Sequence, residues 1–116
     1  MIVDDAAFMR GSLKYIVETN GHEVVGMGKN GDEAISLYNE KKPDLVTLDI
    51  LMEGIDGLEV LKKIKKINPE AKVIMVTALG QEEKQEEARK TGASGYIKKP
   101  FSEEQIAKEI DKVLGS

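Results

Sequence analysis

The chain has 116 residues, enough for one domain with a real core and too few for two. Seventeen lysines and arginines against twenty-one aspartates and glutamates leave a formal net charge of −4, which argues against a nucleic-acid face built on bulk positive charge. There is no cysteine, which excludes disulfides and thiol catalysis; with no signal-peptide pattern and no run near about eighteen apolar residues, the expectation is a soluble cytoplasmic protein without membrane contact.

Met1-Ile2-Val3 is a short apolar strand that stops at Asp4-Asp5. Met9, Leu13, Ile16 and Val17 then recur at helical spacing, and Asn20-Gly21 ends that helix. His22 to Met27, with Val24-Val25, reads as a second strand, and the lone His22 as an exposed turn residue. Gly26-Met27-Gly28-Lys29-Asn30-Gly31 fits the dinucleotide pattern G-x-G-x-x-G. It follows a strand expected at the sheet edge, whereas that fingerprint belongs to the first strand at the switch point, so it reads as a turn into an Asp32-led helix. That helix, Asp32 to Lys41, sets Ala34, Leu37 and Tyr38 on one face and is closed by Pro43.

Next comes a run with an acid inside it: Leu45, Val46, Leu48, Ile50, Leu51 and Met52 are apolar, and Asp49 sits among them. A nearly continuous apolar run marks a strand buried on both faces, and a carboxylate there loses hydration unless cations or hydrogen bonds compensate. A loop leads to Gly57, and Leu58 to Ile67 forms a helix on Leu58, Leu61 and Ile64, with Lys62, Lys63, Lys65 and Lys66 on its solvated face. Ala71 to Ala78 is another wholly apolar strand. Gln81 to Thr91 is a helix with almost no apolar stripe, since only Ala88 lies within it, which predicts loose anchoring on the core. Gly95 to Lys99 is a fifth strand. Ser102-x-x-Gln105 is a capping box that opens a last helix, running to residue 114, with Ile106, Ile110 and Val113 on its core face.

Five strands alternating with five helices predict a doubly wound α/β/α sandwich, three layers around a five-stranded parallel sheet of order 2-1-3-4-5. Ligands in such folds sit at the carboxyl ends of the strands, where the order reverses. Asp4-Asp5, Asp49, Thr77 and Lys99 all fall at those ends. Taken singly, each has a plain reading: helix cap, strand residue or surface charge. Together, three carboxylates that repel one another call for a hard divalent cation, magnesium, while Lys99 and Thr77 suit the oxygens of a phosphoryl group and Asp49 supplies a nucleophilic oxygen.

Val3-Asp4-Asp5, Asp49 with Met52, Asp56 and Gly57, Val76-Thr77-Ala78 and Tyr96-Ile97-Lys98-Lys99-Pro100-Phe101 resemble the receiver domain of two-component response regulators, over the whole chain, residues 1–116. Asp4 to Arg10 together with Gly80-Gln81 resembles the single-domain chemotaxis members of that family more than its DNA-binding ones. The resemblance implies a flavodoxin-like fold and a signalling module that catalyses only its own modification. It implies that Asp49 accepts a phosphoryl group from a histidine kinase. It implies that Asp5, Asp49 and the backbone carbonyl of Leu51 ligate Mg2+, with Asp4 acting partly through water. Lys99 is then the residue that binds a phosphoryl oxygen, and Thr77 and Tyr96 form a switch pair in which Tyr96 turns from exposed to buried.

The implied partners are that kinase, a flagellar or archaellar motor or adaptor protein, and a phosphatase, met through helix 81–91, strand 95–99 and helix 102–114, with no nucleic acid bound directly and the chain monomeric. A phosphorelay intermediate and a receiver detached from a DNA-binding domain stay open. A magnesium-dependent phosphohydrolase is disfavoured, because Ile50 and Leu51 stand where it needs a second acid. Three departures from the family pattern are expected to matter. Glu53 replaces a common proline, the first strand begins late, and Leu51 and Leu79 flank the entry to the site, where apolar side chains are expected to prolong the phosphoryl group's lifetime.

Overall fold

The computed structural model describes the whole chain except Glu53, Ile55, Leu79 and Ser116. Expectations that fall on Glu53 and Leu79 therefore lie outside the described residues. Among the described residues the elements run β1 (Ile2–Val3), α1 (Ala7–Thr19), β2 (Met27–Gly28), α2 (Gly31–Lys41), β3 (Val46–Asp49), α3 (Gly57–Ile67), β4 (Val73–Thr77), α4 (Glu82–Thr91), β5 (Gly95–Lys98) and α5 (Glu103–Leu114). The strands form one parallel sheet of order β2-β1-β3-β4-β5, as the alternation of elements predicts.

Side chains alternate across a strand, and that period sorts the apolar runs into two cores. Val3, Val46, Leu48, Val73 and Met75 pack with Ala34, Tyr38, Leu58, Leu61, Ile64 and Ala88 beneath α2, α3 and α4. Ile2, Ile74 and Ile97 pack with Leu13, Ile16, Val17, Ile106 and Ile110 beneath α1 and α5. The runs are continuous because both faces are covered. Their burial is the main source of stability, each large apolar side chain contributing about 1.5–3 kcal/mol.

The helix ends are set by polar side chains near the positions expected. Ser102 and Gln105 form the capping box of α5, and Asp56 caps α3 through the Glu59 N–H at 3.1 Å. The helix expected from Asp32 starts one residue earlier, at Gly31, and Asn30 is its cap, its Oδ1 accepting from the Glu33 N–H at 2.9 Å while the Glu33 carboxylate takes the Lys29 N–H at 3.0 Å. A correction concerns β2, expected over residues 22–27 and observed at Met27–Gly28 only. A strand exists through its ladder, and β1 offers it only Ile2 and Val3 to pair with. His22 is half-buried rather than exposed, its N–H held by the Val17 carbonyl at 3.2 Å.

Candidate functional site

The same alternation that builds the cores aims the polar residues. Ile2 and Asp4, Thr47 and Asp49, and Ile97 and Lys99 are each two apart, so the two acids and the ammonium follow the strand face that packs on α1 and α5. Thr77 continues the row of Val73 and Met75, and Tyr96 packs on that same core, so both follow the other face, toward α3 and α4. The sheet end therefore carries two groups, a charged cluster and the pair of Thr77 and Tyr96, on opposite faces.

Asp4 and Asp49 are 1% and 5% exposed. The Lys99 Nζ stands 3.3 Å from Asp49 Oδ2 and 3.5 Å from Asp4 Oδ2, bridging the two acids. The other Asp4 oxygen accepts the Ala6 N–H at 2.9 Å, which shapes the entry to α1, and the Arg10 guanidinium donates to the Asp4 carbonyl at 2.8 Å. Asp5 is exposed beside them, and one carboxylate oxygen from each of Asp4, Asp5 and Asp49 lies within 4.8 Å of the others. Burial first and the Asp4 charge second push the Asp49 carboxyl up to about 6, against the pull of Lys99. Three carboxylates with one ammonium between them leave an excess of negative charge in a largely buried place. That donor set, all hard oxygen with one exposed member, fits a magnesium ion that keeps several of its waters.

The chain reaches this arrangement through Gly57, where α3 starts against the end of β3. Its N–H donates to the Ile50 carbonyl at 2.8 Å, and a Cβ there would collide with the Asp49 carbonyl oxygen. Leu51, two residues past Asp49, is 55% exposed. Across the sheet, the Lys99 N–H donates to the Thr77 carbonyl at 2.7 Å, tying the ends of β4 and β5 together.

The side chains of Asp4, Asp5, Asp49 and Lys99 thus lie together at the end of the sheet, and Thr77 and Tyr96 stand on adjacent strands. Two features differ from expectation. The Thr77 hydroxyl donates to Gln85 Oε1 at 3.4 Å, toward α4. Tyr96 is not exposed: its ring is half-buried, and its hydroxyl is buried without a hydrogen-bond partner among the described residues. Burial raises the Tyr96 pKa, opposed by the neighbouring Arg89 of α4. Nothing in the spacing of the chain points to Arg10, Gln81 or Gln85, since long polar side chains on helices carry no periodic signal.

The sequence matches the family model described as response regulator receiver domain over residues 1–111. The chain belongs to that family. It is 47% identical over 113 residues to the chemotaxis protein CheY of Thermotoga maritima, covering 97% of this chain and 94% of that one. Among solved structures, this receiver superposes on the receiver domain of NtrX from Brucella abortus with a TM-score of 0.94 at 33% identity, covering 99% of this chain and 97% of the other. It also matches a chain in the CheX-CheY-BeF3-Mg+2 complex from Borrelia burgdorferi, with a TM-score of 0.92 at 33% identity over 97% of this chain and 85% of that one. The receiver is thus a signalling domain of the CheY type.

Proposed function

We propose that this receiver takes a phosphoryl group from a phosphohistidine onto Asp49, in a magnesium-dependent reaction, and signals in chemotaxis by changing the face it offers a partner. The observation that carries the reading is the buried Asp49 carboxylate within 3.3 Å of Lys99 Nζ, with Asp4 and Asp5 alongside. An Asp49 oxygen attacks phosphorus, the new P–O bond forms as the P–N bond breaks, and the departing imidazole nitrogen keeps the electron pair. A carboxyl that titrates at about 6 is ionised near neutral pH yet more basic than an ordinary aspartate, which suits a nucleophile. Lys99 offsets the charge of the transferring oxygens, and the Thr77 hydroxyl donates to one of them afterwards. Asp5, Asp49 and the Leu51 carbonyl would hold the magnesium ion, with Asp4 partly through water. Bound there, the ion neutralises the clustered carboxylates and the phosphoryl oxygens.

The signal follows from charge. A phosphoryl group adds about one to two negative charges and new acceptors where Thr77 and Lys99 reach. Thr77 turning toward it changes the floor beneath Tyr96 and α4, and the surface of α4, β5 and α5 is the face that meets a motor or adaptor protein. The kinase and a phosphatase complete the set of partners. The chemotaxis assignment is supported by the CheY relatives matched over nearly their full length. Among the described residues no helix is long and apolar enough to cross a membrane.

The test supplies a small phosphodonor with magnesium and follows incorporation of labelled phosphate. Wild type takes up one equivalent, Asp49→Asn none, and Lys99→Ala is modified but shows no response at Thr77 and Tyr96 by NMR. Undiminished labelling of Asp49→Asn overturns the reading.

A further inference from the structure

We propose that Gln85, backed by Gln81, is a polar latch that holds the Thr77 hydroxyl on the α4 face in the unmodified protein and passes its release on to α4. The proposal rests on the reading of Asp49 as phosphoacceptor and of Thr77 as the hydroxyl its phosphoryl group draws in.

The starting point is a helix with little to hold it. Among the described residues of α4 only Ala88 is buried, and a ten-residue helix has small intrinsic stability. Its ion pairs, Lys84 with Asp56 at 3.3 Å and Glu87 with Lys62 at 3.6 Å, lie in partly exposed positions where such pairs contribute little. Besides Ala88 in the core and the Gln81 N–H bond to the Ala78 carbonyl at 3.3 Å, α4 is joined to the end of β4 by a pair of glutamines four residues apart, hence on one face of the turn. Gln81, at the cap position, makes no side-chain cap bond to its own helix; its Oε1 instead accepts the Ala78 N–H at 2.6 Å, and the residue is 8% exposed. One turn on, Gln85 Oε1 accepts from the Thr77 hydroxyl at 3.4 Å. The last residue of β4 and the one after it are thus both tied to the first turn of α4 through side chains.

A threonine hydroxyl has one proton to donate. Thr77 begins on the α3 and α4 face, and Asp49 follows the other, so the hydroxyl cannot serve Gln85 and a phosphoryl oxygen together. Gln85 therefore competes with the phosphoryl group for Thr77 and favours the unmodified state. When Thr77 leaves, α4 keeps Ala88 in the core and the Gln81 ties to the strand end but loses the bond at Gln85, and loosens. The coupling from site to partner face then runs through a broken hydrogen bond rather than through apolar repacking alone. For a neutral hydrogen bond the competition amounts to about two- to tenfold in affinity.

The test titrates beryllofluoride with magnesium against the chain and follows amide hydrogen exchange across residues 82–91. Gln85→Leu, which cannot accept, is expected to bind beryllofluoride two- to tenfold more tightly. Without ligand its α4 amides already exchange as fast as those of the loaded wild type. Gln85→Ala, which adds no apolar bulk and favours helix, gives the same result. Gln85→Glu keeps an acceptor in place and binds no more tightly than wild type. In a Thr77→Ala background Gln85→Leu changes nothing. If wild type responds but Gln85→Leu binds with unchanged or weaker affinity, or if its gain persists without the Thr77 hydroxyl, the latch is overturned and the phosphoacceptor reading stands. A wild type that does not respond to beryllofluoride overturns that reading, and the latch with it.

Discussion

Asp49→Asn should make the metal-free protein more stable at neutral pH. The Asp49 carboxyl sits at about 6 in the fold against an ordinary value of 3.8, with burial as the larger cause and the Asp4 charge as the next. Below the ordinary value the group is protonated whether the chain is folded or not, and it costs nothing. Between 3.8 and about 6 the folded protein binds more protons than the unfolded one, so stability falls as pH rises through that window. Above about 6 the penalty is complete, with an upper bound of about 3 kcal/mol at about 1.4 kcal/mol per tenfold. Asparagine removes the charge but also one of the two carboxylates that Lys99 Nζ touches, so a net gain of about 1–2 kcal/mol is expected, or about 4–10 °C in Tm. The chain has no tryptophan, so the assay is urea denaturation by circular dichroism, in chelator, from pH 3.5 to 8. The gain should be absent at the acid end and full above about pH 6.5. Magnesium should stabilise wild type more than the variant. A gain independent of pH, or a loss at pH 7.5, refutes the reasoning.

Three further outcomes follow from single contacts. Gly57→Ala places a methyl against the Asp49 carbonyl and 2.8 Å from the Ile50 Cα; a loss of about 3 kcal/mol or more in urea is expected, and a change within about 0.5 kcal/mol contradicts the packing. The Thr47 hydroxyl is buried without a partner among the described residues, in the row of Ile2 and Ile74, so the isosteric Thr47→Val should stabilise by about 1 kcal/mol, and destabilisation would falsify that account. Leu51→Asn replaces an exposed apolar side chain beside the site with one able to bind the attacking water; the phosphoryl group should be lost several-fold faster, and an unchanged rate of phosphate release counts against a shielding role for Leu51.

Much of this was legible because the fold's demands are periodic. Val73, Met75 and Ile74 face opposite cores, so β4 had to read as a continuous apolar run, and Asp49 stood out within such a run. Chemistry at strand ends was equally readable, because the parallel topology sends Asp4, Asp49, Thr77 and Lys99 to one edge whatever the details of packing. What failed were features that depend on a partner. Val24 and Val25 have the composition of a strand, but β1 gives β2 only two residues to pair with. Asn30 caps α2 one residue before the start read from the sequence, because the conformation of the turn decides which side chain meets the free N–H groups. The contacts of Gln81 and Gln85 with the end of β4 were illegible for a related reason: a glutamine on a solvated helix looks the same whether it faces water or the end of a strand.

The most direct measurement of the central claim identifies the modified atom. After treatment with a small phosphodonor and magnesium, borohydride reduction turns an aspartyl phosphate into homoserine, and peptide sequencing reads where it lies. Homoserine at position 49 alone, absent when magnesium is chelated, is the result predicted. Homoserine at Asp4, Asp5 or elsewhere, or none despite saturating donor and metal, would contradict it.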